Sequence, residues 1–150
     1  MAQTTTAINA CDVSVWLDNA AGVLTDISGS SNKLDMNFDH EIGEYRAFQG
    51  KWPGRLCCGK DAAFTLDVIY SSTATEGLAL LRDWYFTAGA ACKRTMHVYI
   101  PTKNVGADYY AMEVVLKNLK FAADRGVPGP IMVSAQLLPS GDVTLSTVAT

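Results

Sequence analysis

Strict period-two alternation constrains this chain more than any other feature of its sequence. In "NKLDMNFDHEI", Leu34, Met36, Phe38, His40 and Ile42 fall on one face, and Lys33, Asp35, Asn37, Asp39 and Glu41 on the other. This is the pattern of a strand with one face buried, because successive side chains leave opposite sides of a sheet. The alternation recurs in "DVSVWLD", where Val13, Val15 and Leu17 share a side, and across Ala62–Tyr70, Arg94–Ile100 and Tyr109–Val115. "MEVVLKNLKFAA" also scans as helix, but its Tyr and Val content favours strand. Val23–Ile27, Ile131–Leu138 and Val143–Val148 complete the set, the last two flanking "PSGD", a Pro-led turn that predicts a hairpin.

A single stretch changes to helical period. "SSTATEGLALLRDWYFTAG" predicts a helix over about 73–88, opened by a capping box of Thr73 and Glu76 and closed by Gly89. Its core stripe is Leu78, Leu81, Trp84 and Tyr85, with Arg82 and Asp83 turned away. About eight strands and one helix predict a mainly β fold: a β-sandwich or barrel with the helix laid across a sheet. The 150 residues fit one domain, 1–150, large enough to fold without a metal or disulfide staple. Residues 1–10 read as an N-terminal arm that orders only against a neighbour. Residues 44–61, "EYRAFQGKWPGRLCCGKD", read as a long loop. Its Tyr45, Phe48 and Trp52 argue against disorder.

Catalytic chemistry finds little support. The chain has two histidines, His40 on the apolar side of its strand and His97 on the polar side of another. A nucleophile pair of Cys57 or Cys58 with His97 has nothing in the sequence to bring it together. There is no GxSxG, HExxH or phosphate-cradling loop. Cys11, Cys57, Cys58 and Cys92 match no zinc spacing and read as structural thiols. The expectation is therefore no enzyme, no cofactor and no metal. The start, "MAQTTTAINA", has no signal-peptide pattern, and no apolar run reaches the ~20 residues of a membrane helix. Both point to a protein made in a reducing cytoplasm, without a membrane partner. A net charge of −3 argues against a chain built to grip nucleic acid.

Binding is the remaining class, and its material is an acidic strand followed by a basic loop. Asp35, Asp39, Glu41 and Glu44 precede Arg46, Lys51, Arg55 and Lys60. A solvated strand and a solvated loop would explain this blandly. The sharper reading is that copies of the chain meet, basic loop against acidic rim.

The order of elements resembles that of the tail tube proteins of long-tailed bacteriophages. The resembling stretch runs from "VWLDNAAGVLTDISG" through the alternating acidic strand, "YRAFQGKWPGRLCCGKD", "AAFTLDVIY" and "TATEGLALLRDWYF" to "RTMHVYIP" and "DYYAMEVVLKNLKF". It covers roughly Val13 to Leu138. Contractile-tail and type VI secretion tube proteins share that fold. The resemblance implies a β-sandwich flanked by a helix, joined edge to edge into hexameric rings that stack into a hollow tube carrying DNA. It implies a virion protein assembled in the host cytoplasm. Its partners would be other copies of itself and other tail proteins: tape measure, terminator and distal tail protein. In such a tube Asp35, Asp39 and Glu41, joined by Asp67, would line the lumen and repel the passing duplex without binding it. Arg46, Phe48, Lys51, Trp52 and Arg55 would lie in a ring-stacking loop, with Trp52 as aromatic anchor. The alternatives are another virion component, a tail terminator or capsid decoration protein, or a monomeric β-sandwich binding module. The last would show a concentrated aromatic patch.

Overall fold

The structure is a computed structural model and describes residues 7–87 and 89–150. Residues 1–6 of the predicted N-terminal arm lie outside the described residues. The elements are β1 (Ser14–Asp18), β2 (Leu24–Asp26), β3 (Ser31–Tyr45), β4 (Gly54–Ile69), α1 (Gly77–Phe86), β5 (Lys93–Ile100), β6 (Asp108–Ala122), β7 (Met132–Pro139) and β8 (Thr144–Thr147). The mainly β reading with one helix stands. The strands join in one antiparallel sheet, ordered β2-β1-β5-β6-β7-β4-β3, which does not close into a barrel.

Strand β6 organises this sheet. One edge of its first half, Asp108–Val115, pairs with β5, while its second half pairs on the opposite edge with β7. A bulge between Leu116 and Asn118 separates the two halves, and bulges bend and twist a strand locally. The predicted hairpin of the last two strands is not formed. After Pro139 the Ser140 N–H donates to the Glu113 carbonyl, and β8 continues along the same edge of β6, Thr144 opposite Ala111. "PSGD" therefore interrupts one line of pairing and does not reverse the chain.

The alternation places one core against α1. Val15 and Leu17 of β1, Phe64, Leu66 and Val68 of β4, Met96 and Val98 of β5, Met112 and Val114 of β6, and Val133, Ala135 and Leu137 of β7 are all buried with the helix. Each of these side chains larger than alanine contributes about 1.5–3 kcal/mol of transfer free energy.

The helix is shorter than predicted, and its start is made differently. Thr73 makes no cap: its hydroxyl accepts from Ser71 Oγ at 3.2 Å, and Glu76 offers no side-chain cap bond. The Gly77 N–H instead donates to Ser30 Oγ at 2.9 Å, a partner distant in sequence. Leu78, Leu81 and Trp84 are buried as predicted, with Leu80 beside them, but Tyr85 is exposed. The buried line of the helix runs through Gly77, Leu81 and Trp84, which turns Tyr85 to its flank, edge-on to Phe86 at 5.0 Å.

Arg94 fastens helix to sheet. It is 3% exposed, and its guanidinium donates to the Asp18 carbonyl at 3.2 Å, the Leu80 carbonyl at 3.4 Å and Asp83 Oδ2 at 3.2 Å. It also lies 5.2 Å from the centre of the Trp84 ring.

Candidate assembly interface

The predicted 44–61 loop is mostly strand. β3 runs to Tyr45 and β4 starts at Gly54, so only 46–53 are irregular. Arg55, Cys57, Cys58 and Lys60 belong to β4, with Glu44 opposite Arg55, Ile42 opposite Cys57 and His40 opposite Lys60. A register shift between Glu41 and Ile42 makes a bulge around Cys58. That local irregularity, with Gly54 and Gly59, is what breaks the alternation in the sequence.

The two strands form an arm. β4 pairs with β7 only from Phe64 onward, so before Ala63 it has β3 alone for a partner. Core contact ends where β7 ends, and the apolar side of β3 is therefore buried only at its root. Leu34 and Met36 pack against the core, and Phe38 rests edge-on to Phe64 at 5.6 Å but is 49% exposed. His40 and Ile42 are exposed, contrary to the expectation of a wholly covered face. At the tip Phe48 is fully exposed and Trp52 is 86% exposed, with Tyr45, Leu56, Arg46 and Lys51 also in solvent. Arg55 pairs with Glu44 at 3.0 Å across the ladder. Large apolar side chains clustered at the end of an arm mark a contact surface.

The opposite face of β3 and β4 is acidic. Asp35, Asp39 and Glu41 are exposed on β3; Asp67 and Asp61 share that face on β4. Asp61 was missed from the sequence because it was read as the end of a loop. The register sets Asp39 directly opposite Asp61, a like-charge pair that costs an isolated sheet some stability. Four members are partly compensated: Asp35 by Lys33 at 2.8 Å, Asp67 by the Ser134 hydroxyl at 2.5 Å, Asp39 by the Asn37 amide at 2.6 Å and Asp61 by the Ala62 N–H at 2.8 Å. Lys33 is held above the ordinary lysine range, first by its hydrogen bond to Asp35 and then by that carboxylate's charge.

The half-sheet β6-β7-β4-β3 has an open edge on each side. Among the described residues nothing pairs with the outer edge of β3, and β5 leaves β6 at Val115, so 116–122 have no strand partner on that side. Long unpaired edges invite strand addition.

An aromatic cluster on β1, β5 and β6 was also missed, since its members are scattered along the chain. Tyr99 stacks on Tyr109 at 5.1 Å, His97 lies 5.3 Å from Tyr109, and Lys103 Nζ sits 4.3 Å over the Trp16 ring. Burial pushes His97 below the ordinary histidine range, against the opposing pull of Asp18. β6 and β7 lie between β5 and β4 in the sheet, so the structure does not join His97 to Cys57 or Cys58.

No family model matches the chain, and no curated protein matches it. Solved structures do. A chain of the SPP1 tail tube superposes with a TM-score of 0.73 at 14% identity, covering 96% of this chain and 81% of that one. A chain from the tail of an empty gene transfer agent particle, resolved with C6 symmetry, gives 0.70 at 14% identity over 94% and 100%. A chain of the anti-feeding prophage baseplate gives 0.74 at 10% identity over the full length of both. The fold is thus the tail-tube fold that the order of elements resembles.

Proposed function

We propose that this chain is a structural subunit of a hollow tail tube, built from rings of the chain stacked head to tail. The observation that carries this reading is the half-sheet β6-β7-β4-β3 with both edges open. A strand edge on each side lets every copy accept one neighbour and offer itself to the next, a heterologous contact that closes into a ring. Six copies per ring is the number expected from the resemblance, and the gene transfer agent tail has C6 symmetry.

In such a ring the face carrying Asp35, Asp39, Glu41, Asp61 and Asp67 lines the channel. Carboxylates there repel phosphates within about 8 Å at physiological salt, so a duplex passes without being held. The arm reaches to the adjacent ring, with Phe48 and Trp52 as anchors and Arg46 and Lys51 as charged contacts. At the far end of the same half-sheet Tyr70, Phe121, Val127 and Ile131 are exposed, a complementary apolar surface for a copy stacked along the strands. Other tail proteins would meet the ends of the tube, and the assembled particle would be a virion.

A tube terminator is the second reading, supported by likeness to a chain of a contractile injection system's sheath/tube terminator at a TM-score of 0.71 and 13% identity. Negative-stain electron microscopy of the purified protein over a concentration series separates the two. Tubes that lengthen with concentration support the tube subunit. Rings that never elongate support the terminator, and monomers at every concentration contradict both.

A further inference from the structure

We propose that neighbouring copies join by antiparallel pairing of the outer edge of β3 with residues 116–122 of β6, and that Lys120 of one copy seats against the Asp35–Asp39 stretch of the next. This rests on the ring reading above and specifies its seam.

Strand direction permits it. β6 is antiparallel to β7, β7 to β4 and β4 to β3. β6 therefore runs opposite to β3, and a copy added in the same sense continues the antiparallel order across the seam. The faces also match. Lys120 lies opposite Ser134, Ser134 opposite Asp67 and Asp67 opposite Lys33, so all four stand in one row. Leu119 packs against the core, which turns Lys120 to the acidic face. A slip of a single residue at the seam would reverse every side chain, so the apolar pattern admits only registers that keep Lys120 on that face.

Charge narrows the choice further. The open stretch of β6 carries Lys117 and Lys120 and no acid, whereas β3 carries Asp35, Asp39 and Glu41 against Lys33, its further acid Glu44 being paired with Arg55. A level register would set Lys120 beside Lys33, cation against cation. Closing a sheet into a ring of tilted strands requires a stagger. Stagger toward the arm exchanges Lys33 for Asp35 and, further on, Asp39; stagger the other way carries Lys120 off the end of β3 at Ser31. The charges thus select the direction of the stagger.

The test follows assembly of the purified full-length chain by light scattering and negative stain at low salt. Lys120 is exposed, so Lys120→Glu should give a folded monomer, checked by thermal melt. The concentration it needs for assembly should rise at least about tenfold, since like charges facing across an interface are strongly unfavourable. Adding Asp35→Lys or Asp39→Lys to Lys120→Glu should bring assembly back to within about threefold of the wild type, and the substitution that does so reads the register. Unchanged assembly of Lys120→Glu, or failure of both reversals to restore it, overturns the seam while leaving the ring reading intact. A wild-type chain that never assembles overturns the ring reading and the seam with it.

Discussion

Arg94 ties the helix to the sheet through one buried side chain. Its buried guanidinium holds two carbonyls and Asp83 at once, so Arg94→Ala leaves acceptors unsatisfied and a void beside Trp84. The expected cost is about 3 kcal/mol by urea denaturation, from lost charge-assisted bonds plus a cavity. A cost below 0.5 kcal/mol, the ~0.5 kcal/mol scale of ordinary surface substitutions, would contradict this role. Asp83 supplies a pH signature. Its carboxyl is held below the ordinary range, first by the Thr87 hydroxyl at 2.9 Å and then by Arg94. A depressed folded pKa adds stability above the unfolded carboxyl value, and this is lost as pH falls through the folded value. Wild type should therefore lose its advantage over Asp83→Asn on acidification below about pH 4; a constant difference from pH 6 to pH 2 would exclude the linkage. None of this was legible in the sequence. Arg94 opens an alternating strand and reads as polar, and its burial depends on Asp18 of β1 and on Leu80 and Asp83 of α1, two places distant from it in the chain.

At the level of elements, the strands were legible because each has one buried face, and Phe64, Leu66 and Val68 announce β4 by period alone. The arm's β4 half was not, since its glycines and its bulge at Cys58 break the phase, although Phe38, His40 and Ile42 of β3 keep alternating into the arm. The helix stripe was legible through Leu78, Leu81 and Trp84, and its cap was not, because Ser30 lies far away in sequence. The close fit at that cap is testable. A Cβ on Gly77 would stand 3.0 Å from Ser30 Oγ and 3.3 Å from Val68 Cγ1. Gly77→Ala should thus destabilise by about 1–3 kcal/mol through overpacking, despite the higher helix propensity of alanine; a stabilised variant would show that the contact yields freely. The arm tip makes the opposite case. Phe48→Ala with Trp52→Ala should leave the urea midpoint unchanged, because both side chains are in solvent, yet prevent rings from stacking. Full-length tubes from that double variant would remove the tip from the axial contact.

For the whole molecule, the proposed tube would give the acidic face a role that an isolated subunit lacks. Asp39 stands opposite Asp61 within one chain, and in the proposed ring the pair would belong to a wall that DNA does not adhere to. Reversing that wall one strand in from the seam, with Asp61→Lys on β4, should yield tubes that hold duplex DNA protected from nuclease at low salt and release it at high salt. Wild-type tubes should retain none, and equal retention by both would separate the carboxylates from DNA passage. The sequence revealed the acidic face through Asp35, Asp39 and Glu41, because period two sorts side chains by face. It did not reveal the open edges, which depend on where β5 leaves β6 and where β7 leaves β4, and such pairings between distant segments are invisible to local pattern. The most direct measurement is a cryo-electron microscopy reconstruction of the assembled protein, resolved well enough to trace strands. The prediction is a channel lined by the Asp35, Asp39 and Asp67 face, with β3 of each copy hydrogen-bonded to β6 of its neighbour and α1 on the outside. A channel lined by α1, or rings joined through surfaces other than these two edges, would contradict it.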